Sequence, residues 1–261
     1  MSELAAMFSD GWYLWLRTAR SYLRQPVWIV VAITQPVVWL TLYGQLFRRV
    51  VEIPGFGAAS YIQFLTPGVV GMTALFNSVW AGFDLLEDMN RGVLDRFLST
   101  PVRRGAIILA SVGYAAVAIG VQVCLILVLG SLLGARLEGG LPGVLVTLAA
   151  CLLLSAGFAA FSNGISLLLR RREPMIAAIN FLTLPLAFLS VAFMPAGLMP
   201  PWMQAVSRFN PLNWTVEVVR YAFSPTIPWA AAAGGLGKLL AFALVLYLFA
   251  QWSFGRYRRR S

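Results

Sequence analysis

The sequence has no histidine, a single lysine, ten acidic residues and two cysteines in 261 residues, and only 11% of it is charged. A soluble globular domain carries about 25% charged residues, so an ordinary cytosolic enzyme is excluded. Without histidine, neither an imidazole acid–base pair nor a histidine-ligated zinc centre can be assembled from this chain alone. Cys124 and Cys151 lie inside apolar runs with no partner at metal-ligand spacing, and read as small buried apolar side chains. The lysine fails the phosphate-loop pattern: Lys238 follows Gly237, but Ala232 stands at the required first glycine and Leu239 at the required Ser or Thr. No ATPase motor is therefore expected here. An acid buried deep in a span, the usual coupling group of an ion-driven transporter, is also missing; Asp84, about a turn from the end of its run, comes nearest.

What is present is apolar length. Hydrophobic residues make up 59% of the chain and fall in runs long enough to cross roughly 30 Å of hydrocarbon as helices. The fold class is an all-α integral membrane protein with six transmembrane helices at 27–47, 61–86, 106–133, 144–169, 175–193 and 239–254, in one domain over 1–261. Of the 20 basic residues, 14 flank one side, from Arg17 to Arg24, Arg91 to Arg104, Arg170 to Arg172 and Arg256 to Arg260; six flank the other. That asymmetry places both termini in the cytoplasm. The net charge of +10 is thus an orientation signal and a contact with lipid headgroups, and nucleic acid is excluded as a partner because the basic residues share no single solvated face.

Three segments are not explained by spanning. Residues 1–26 hold an amphipathic helix with Phe8, Trp12, Trp15, Ala19 and Leu23 on one face and Arg17, Arg20 and Arg24 on another, which lies in the interface plane unless it begins a longer span. Residues 87–101 are too polar to cross. Their Met89, Val93 and Phe97 stripe, with Glu87 and Arg91 at i, i+4 and Pro101 at the end, predicts a short surface helix. It either rests on headgroups or docks a cytoplasmic partner, and pattern alone does not choose. The outer segment 194–238 is rich in proline and tryptophan yet apolar, predicting short half-buried helices over Met203 to Phe209 and Leu212 to Phe223.

These residues carry a resemblance. Glu87-x4-Gly92-x7-Thr100-Pro101 on one side, and Pro195-x4-Pro200-x-Trp202 followed by Asn210-Pro211 and Arg220 on the other, resemble the permease subunit of ABC-type exporters, the group that includes bacterial drug-resistance and polysaccharide-export permeases. The resemblance implies a bacterial inner-membrane subunit that dimerises with a second copy or a paralogue and pairs with two copies of a separate ATPase, which binds ATP and Mg. This chain then needs no cofactor of its own. It also implies a coupling role for Glu87, Arg91, Gly92, Arg96, Thr100 and Pro101, and an outer gate at Pro195, Pro200, Trp202, Asn210, Pro211 and Arg220. A path along the two-fold interface would be lined by spans one, two and five, with Gln35, Phe76, Asn77, Trp80, Asn180, Phe181 and Phe188 as candidates. Their aromatic, almost uncharged character fits an amphiphilic drug, lipid or glycan-type cargo moved outward. The competing readings are an integral-membrane lipid-modifying enzyme, which wants a convergent acid–base set, and an ATP-independent channel or secondary transporter, which wants a ring of charge or a deep acid.

Overall fold

A computed structural model describes residues 34–91 and 104–258, with 104–117 as backbone alone. The predicted interfacial helix at 1–26, and within the coupling segment Gly92, Arg96, Thr100 and Pro101, lie outside the described residues. All elements among those described are helical. The first, α1, runs from 34 to 46 through a π turn at Trp39–Tyr43, and a 3₁₀ turn at Arg48–Glu52 follows. Then come α2 (Tyr61–Ser78), α3 (Ala81–Asn90), α4 (Arg104–Leu132), α5 (Gly140–Leu169), α6 (Arg172–Phe188), α7 (Pro201–Ser207), α8 (Pro211–Arg220) and α9 (Trp229–Arg258). Among the described residues, three stretches are long and apolar enough to cross a membrane: Tyr61–Asn90, Gly140–Leu169 and Trp229–Tyr257. Thirty helical residues reach about 45 Å, so the ends of each emerge at headgroup level.

The central element is α5, which packs against α2, α3, α4, α8 and α9. Its seam with α9 follows from side-chain size. Gly157 and Gly164, seven residues apart, make room for Phe242 and Phe249, also seven apart; a Cβ at either glycine would lie 2.8 Å or 2.6 Å from the facing ring. Equal steps along both chains mean parallel helices meeting with heptad spacing, and small residues opposite large ones give the close packing on which association in lipid depends. Past Leu169 the chain leaves α5 through Arg170, a left-handed residue with φ 55°. That costs about 1–2 kcal/mol for a side chain other than glycine. The guanidinium offsets it by sitting 4.4 Å from the Tyr257 ring centroid and donating to the Tyr257 carbonyl at 3.4 Å.

Four departures from the boundaries that the sequence predicts bear on the sites, and three of them have a tertiary reason. The span expected to run unbroken over 61–86 is divided by a turn at Val79 and Trp80. The break is tolerated because Ser162 of α5 donates its hydroxyl to the Val79 carbonyl and accepts from the Gly82 N–H at 3.1 Å, so the interrupted ladder keeps its partners. Glu87 to Asn90 form the last turn of α3 and do not open a separate surface helix. The fifth span ends at Phe188, five residues short of 193, because the backbone that follows bonds to side chains of the outer segment. Trp229 to Lys238, expected in that outer segment, are the first ten residues of α9; Gly235 continues the helix where a Cβ would strike Val218 of α8 at 2.3 Å. Ser162→Ala should lower stability by about 1–2 kcal/mol, because two buried backbone groups lose their partner. Ser166→Ala, whose hydroxyl only bonds back to Asn163, is the control. Equal thermal midpoints for the two purified variants would remove Ser162 from this role.

Candidate functional site

At its C-terminal end α3 carries Glu87, half-buried, and its two carboxylate oxygens serve different partners. Oε1 accepts from Arg91 Nε at 3.2 Å and pairs with Arg91 Nη2 at 3.0 Å, the i, i+4 contact that the spacing predicts. Oε2 faces Arg172 of α6 at 3.7 Å. Below this pair Leu85 packs with Leu167, Phe254 and Tyr257, with Met89 at the edge, so the foot of α3 rests on the feet of α5 and α9. Of the six coupling candidates the structure therefore brings Glu87 and Arg91 together. Arg172 was not anticipated; its place directly after Arg170-Arg171 reads as topology and hides a specific pairing.

The pathway candidates separate into two groups. Gln35 and Phe76 line one narrow crevice with Trp39, Val69, Met72 and Thr73, and the π turn of α1 carries Trp39 there. Asn77 donates one amide N–H to the Gln122 Oε1 of α4, a tie between helices. Trp80 is exposed at the α2–α3 break and packs against Phe83, with ring centroids 5.0 Å apart and planes tilted by 34°. Asn180, Phe181 and Phe188 lie away from the crevice on the open side of α6. That helix buries Met175, Ile179, Thr183 and Ala187 in one stripe and leaves Phe181 83% exposed. An apolar stripe of this kind needs lipid or another protein surface to cover it.

The most highly organised site lies at the opposite end of the bundle, where α6 stops and α8 starts. After α6 the backbone from 189 to 193 is irregular, and inside a membrane protein each of its polar groups needs a partner. The partners come from the outer segment. Asn210, the N-cap of α8, accepts from the Leu212 N–H at 2.9 Å and donates to the carbonyls of Leu186 at 2.7 Å and Leu189 at 3.1 Å, two groups left over where α6 stops. Asn213 accepts from the Val191 N–H at 3.1 Å and donates to Glu217 at 2.8 Å. Arg220 donates to the Val191 carbonyl and lies 4.2 Å from the centroid of the Phe64 ring, a cation–π contact with the start of α2. Burial pulls its guanidinium down to about 10, opposed by the nearby Glu217, so it stays charged at neutral pH. Gly68 completes the socket, since a Cβ there would lie 2.5 Å from the Ala192 carbonyl oxygen.

Of the six outer candidates, Asn210, Pro211 and Arg220 meet in this clamp. Pro195, Pro200 and Trp202 form the neighbouring 3₁₀ turn and α7, where Trp202 is exposed. Asn213, like Arg172, is a residue of these contacts that the sequence analysis does not single out. Its i+3 spacing from Asn210 and i+4 spacing to Glu217 were the available signal.

Membrane-length helices around a buried α5, a charged foot at one end and a hydrogen-bonded clamp at the other define a multi-pass membrane protein of the permease class. The chain belongs to the ABC-2 type transporter family, which it matches over residues 10–224. It is similar to the ycf38 transport permease of Cyanophora paradoxa, 34% identical over 202 residues covering 77% of this chain and 69% of that one. The daunorubicin resistance ABC transporter permease protein DrrB1 of Streptomyces coeruleorubidus is 26% identical, over 80% of this chain and 72% of its own. The inner membrane transport permease YadH of Escherichia coli K12 is 28% identical over 92% of each. Membership implies work alongside an ABC ATP-binding subunit.

Proposed function

We propose that the chain is the membrane half of an ATP-driven exporter, with six spans and both termini in the cytoplasm of a bacterial cell. Two such chains, or this chain and a paralogue, pair with two copies of a separate ATPase that holds ATP and Mg. The single observation that supports the reading best is the family match over 10–224, which includes the segment between α3 and α4 and the outer clamp. The open apolar face of α6 is the surface offered to the second permease subunit. The crevice beside Gln35 and Phe76 adjoins the cargo path, and its mixture of aromatic and small polar side chains suits an amphiphilic drug, lipid or glycan-type molecule.

In this mechanism Glu87 and Arg91 hold the end of α3, so that the polar segment after it presents a fixed surface to the ATPase. Gly92, Arg96, Thr100 and Pro101 belong to that surface, and Pro195, Pro200, Trp202, Asn210, Pro211 and Arg220 belong to the outer gate. Reversing both charges, Glu87→Arg with Arg91→Glu, keeps the local pair but inverts what the partner meets. The reconstituted complex should then lose more than half of its cargo-stimulated ATP hydrolysis while the protein still reaches the membrane. Unchanged stimulation would count against the coupling role. Transport by the purified permease alone, under an imposed ion gradient, would overturn the exporter reading in favour of a secondary transporter.

A further inference from the structure

We infer that Arg172 is a positioning residue that ties α6 to the ATPase-facing end of α3, making α6 the element that carries motion from the cytoplasmic foot to the outer clamp. The inference rests on the coupling role proposed above, and it starts from where α6 is bonded. Among the described residues its side-chain and backbone links to other elements occur at its two ends. At the inner end Arg172 meets Glu87 at 3.7 Å. At the outer end the Leu186 carbonyl, with the adjoining Leu189 carbonyl, accepts from Asn210. Between them α6 meets the body through Met175, Ile179, Thr183 and Ala187, with Leu182 and Leu186 packed beside them, a stripe without directional bonds to other elements among the described residues, since the Thr183 hydroxyl bonds within its own helix.

The 17 residues of α6 span about 25 Å, and Pro185, the one proline past its first turn, falls in its last turn next to the Leu186 carbonyl that Asn210 holds. Fixed at both ends and able to slide along its middle, the helix transmits an axial displacement with little loss. Glu87 can serve as the hitch because its second oxygen is free of Arg91, leaving Oε2 to Arg172. The pair is exposed, so it is weak, and a weak link suits one that must be remade in each cycle. The outer attachment is stronger, since Asn210 spans two carbonyls within 3.1 Å. The inner pair is therefore the link that yields first, and motion entering at α3 reaches the clamp for as long as that pair holds.

The test uses the complete complex with its ATPase in vesicles of Escherichia coli lipid. Cys124 and Cys151 are replaced by alanine and Trp202, which is 61% exposed, by cysteine. The rate at which an impermeant maleimide labels position 202 is measured without nucleotide and with ATP and vanadate. In the parent complex the two rates should differ. Arg172→Gln should shrink their ratio about two- to fivefold, the range expected for an exposed ion pair. Arg172→Lys should restore it, because the ammonium can still pair with Glu87. If Arg172→Gln fails to assemble, Glu87→Gln tests the pair from its other side. A parent complex whose labelling ignores nucleotide defeats the gate reading itself. A responsive parent whose ratio survives Arg172→Gln, or whose loss in Arg172→Gln is not restored by Arg172→Lys, defeats this inference alone.

Discussion

Arg220→Leu is expected to lower the thermal midpoint of the purified protein by on the order of 10 °C, the larger of two effects that isolate the outer clamp and the α3–α5 contact. The substitution removes the donor to the Val191 carbonyl and the cation over Phe64 together. A hydrogen bond from a charged group contributes about 1.5–3 kcal/mol, and a desolvated cation–π contact about 2 more. Leucine supplies neither, and it leaves a carbonyl in irregular backbone without its partner. Part of the loss is returned. The depressed pKa means that burying the charge disfavours folding at every pH below about 10, and leucine removes that penalty. Arg220→Lys should recover less than half of the deficit, because an ammonium cannot both lie flat on the ring and reach the carbonyl. Fluorescence-detected size-exclusion chromatography after stepped heating measures all three. A midpoint for Arg220→Leu within 2 °C of the parent would show that the clamp does not depend on the arginine.

Gly82→Leu should prevent stable packing of α3 on α5. An added Cβ at Gly82 would sit 2.4 Å from the Ser162 carbonyl oxygen and 2.5 Å from the carbonyl carbon, atoms that no rotamer change can move. Either the helices separate, exposing the Leu85–Leu167–Phe254 cluster, or the turn at Val79 and Trp80 re-forms without Ser162. Overpacking of even one methyl in such a site costs about 1–3 kcal/mol, so Gly82→Ala should already lower the midpoint and Gly82→Leu should abolish the monodisperse peak. Gly237→Ala is the opposite case. Nothing lies within 4 Å of its Cβ position, and alanine is the better helix former by up to about 1 kcal/mol. Similar midpoints for Gly82→Ala and Gly237→Ala would contradict the packing described.

Composition and apolar length made the helical membrane class legible, because a bilayer imposes both on any chain that crosses it. Proline and asparagine were equally readable in the outer segment: Pro201 and Pro211 start α7 and α8, as residues that lack an N–H and fix φ should. The Glu87–Arg91 pair was legible too, since its spacing lies within one helix.

The tertiary structure alone decided where those side chains reach. The break at Val79 depends on Ser162, eighty-three residues away, and Arg220 on Val191, twenty-nine away. The early start of α9 depends on the fit of Gly235 against Val218, and the second bond of Glu87 on Arg172. Periodicity and hydropathy describe a chain with its neighbours along the sequence, and so they fix what is helical and what is buried in lipid. A backbone carbonyl has no sequence signature, so which side chain satisfies it is settled only when the helices have packed.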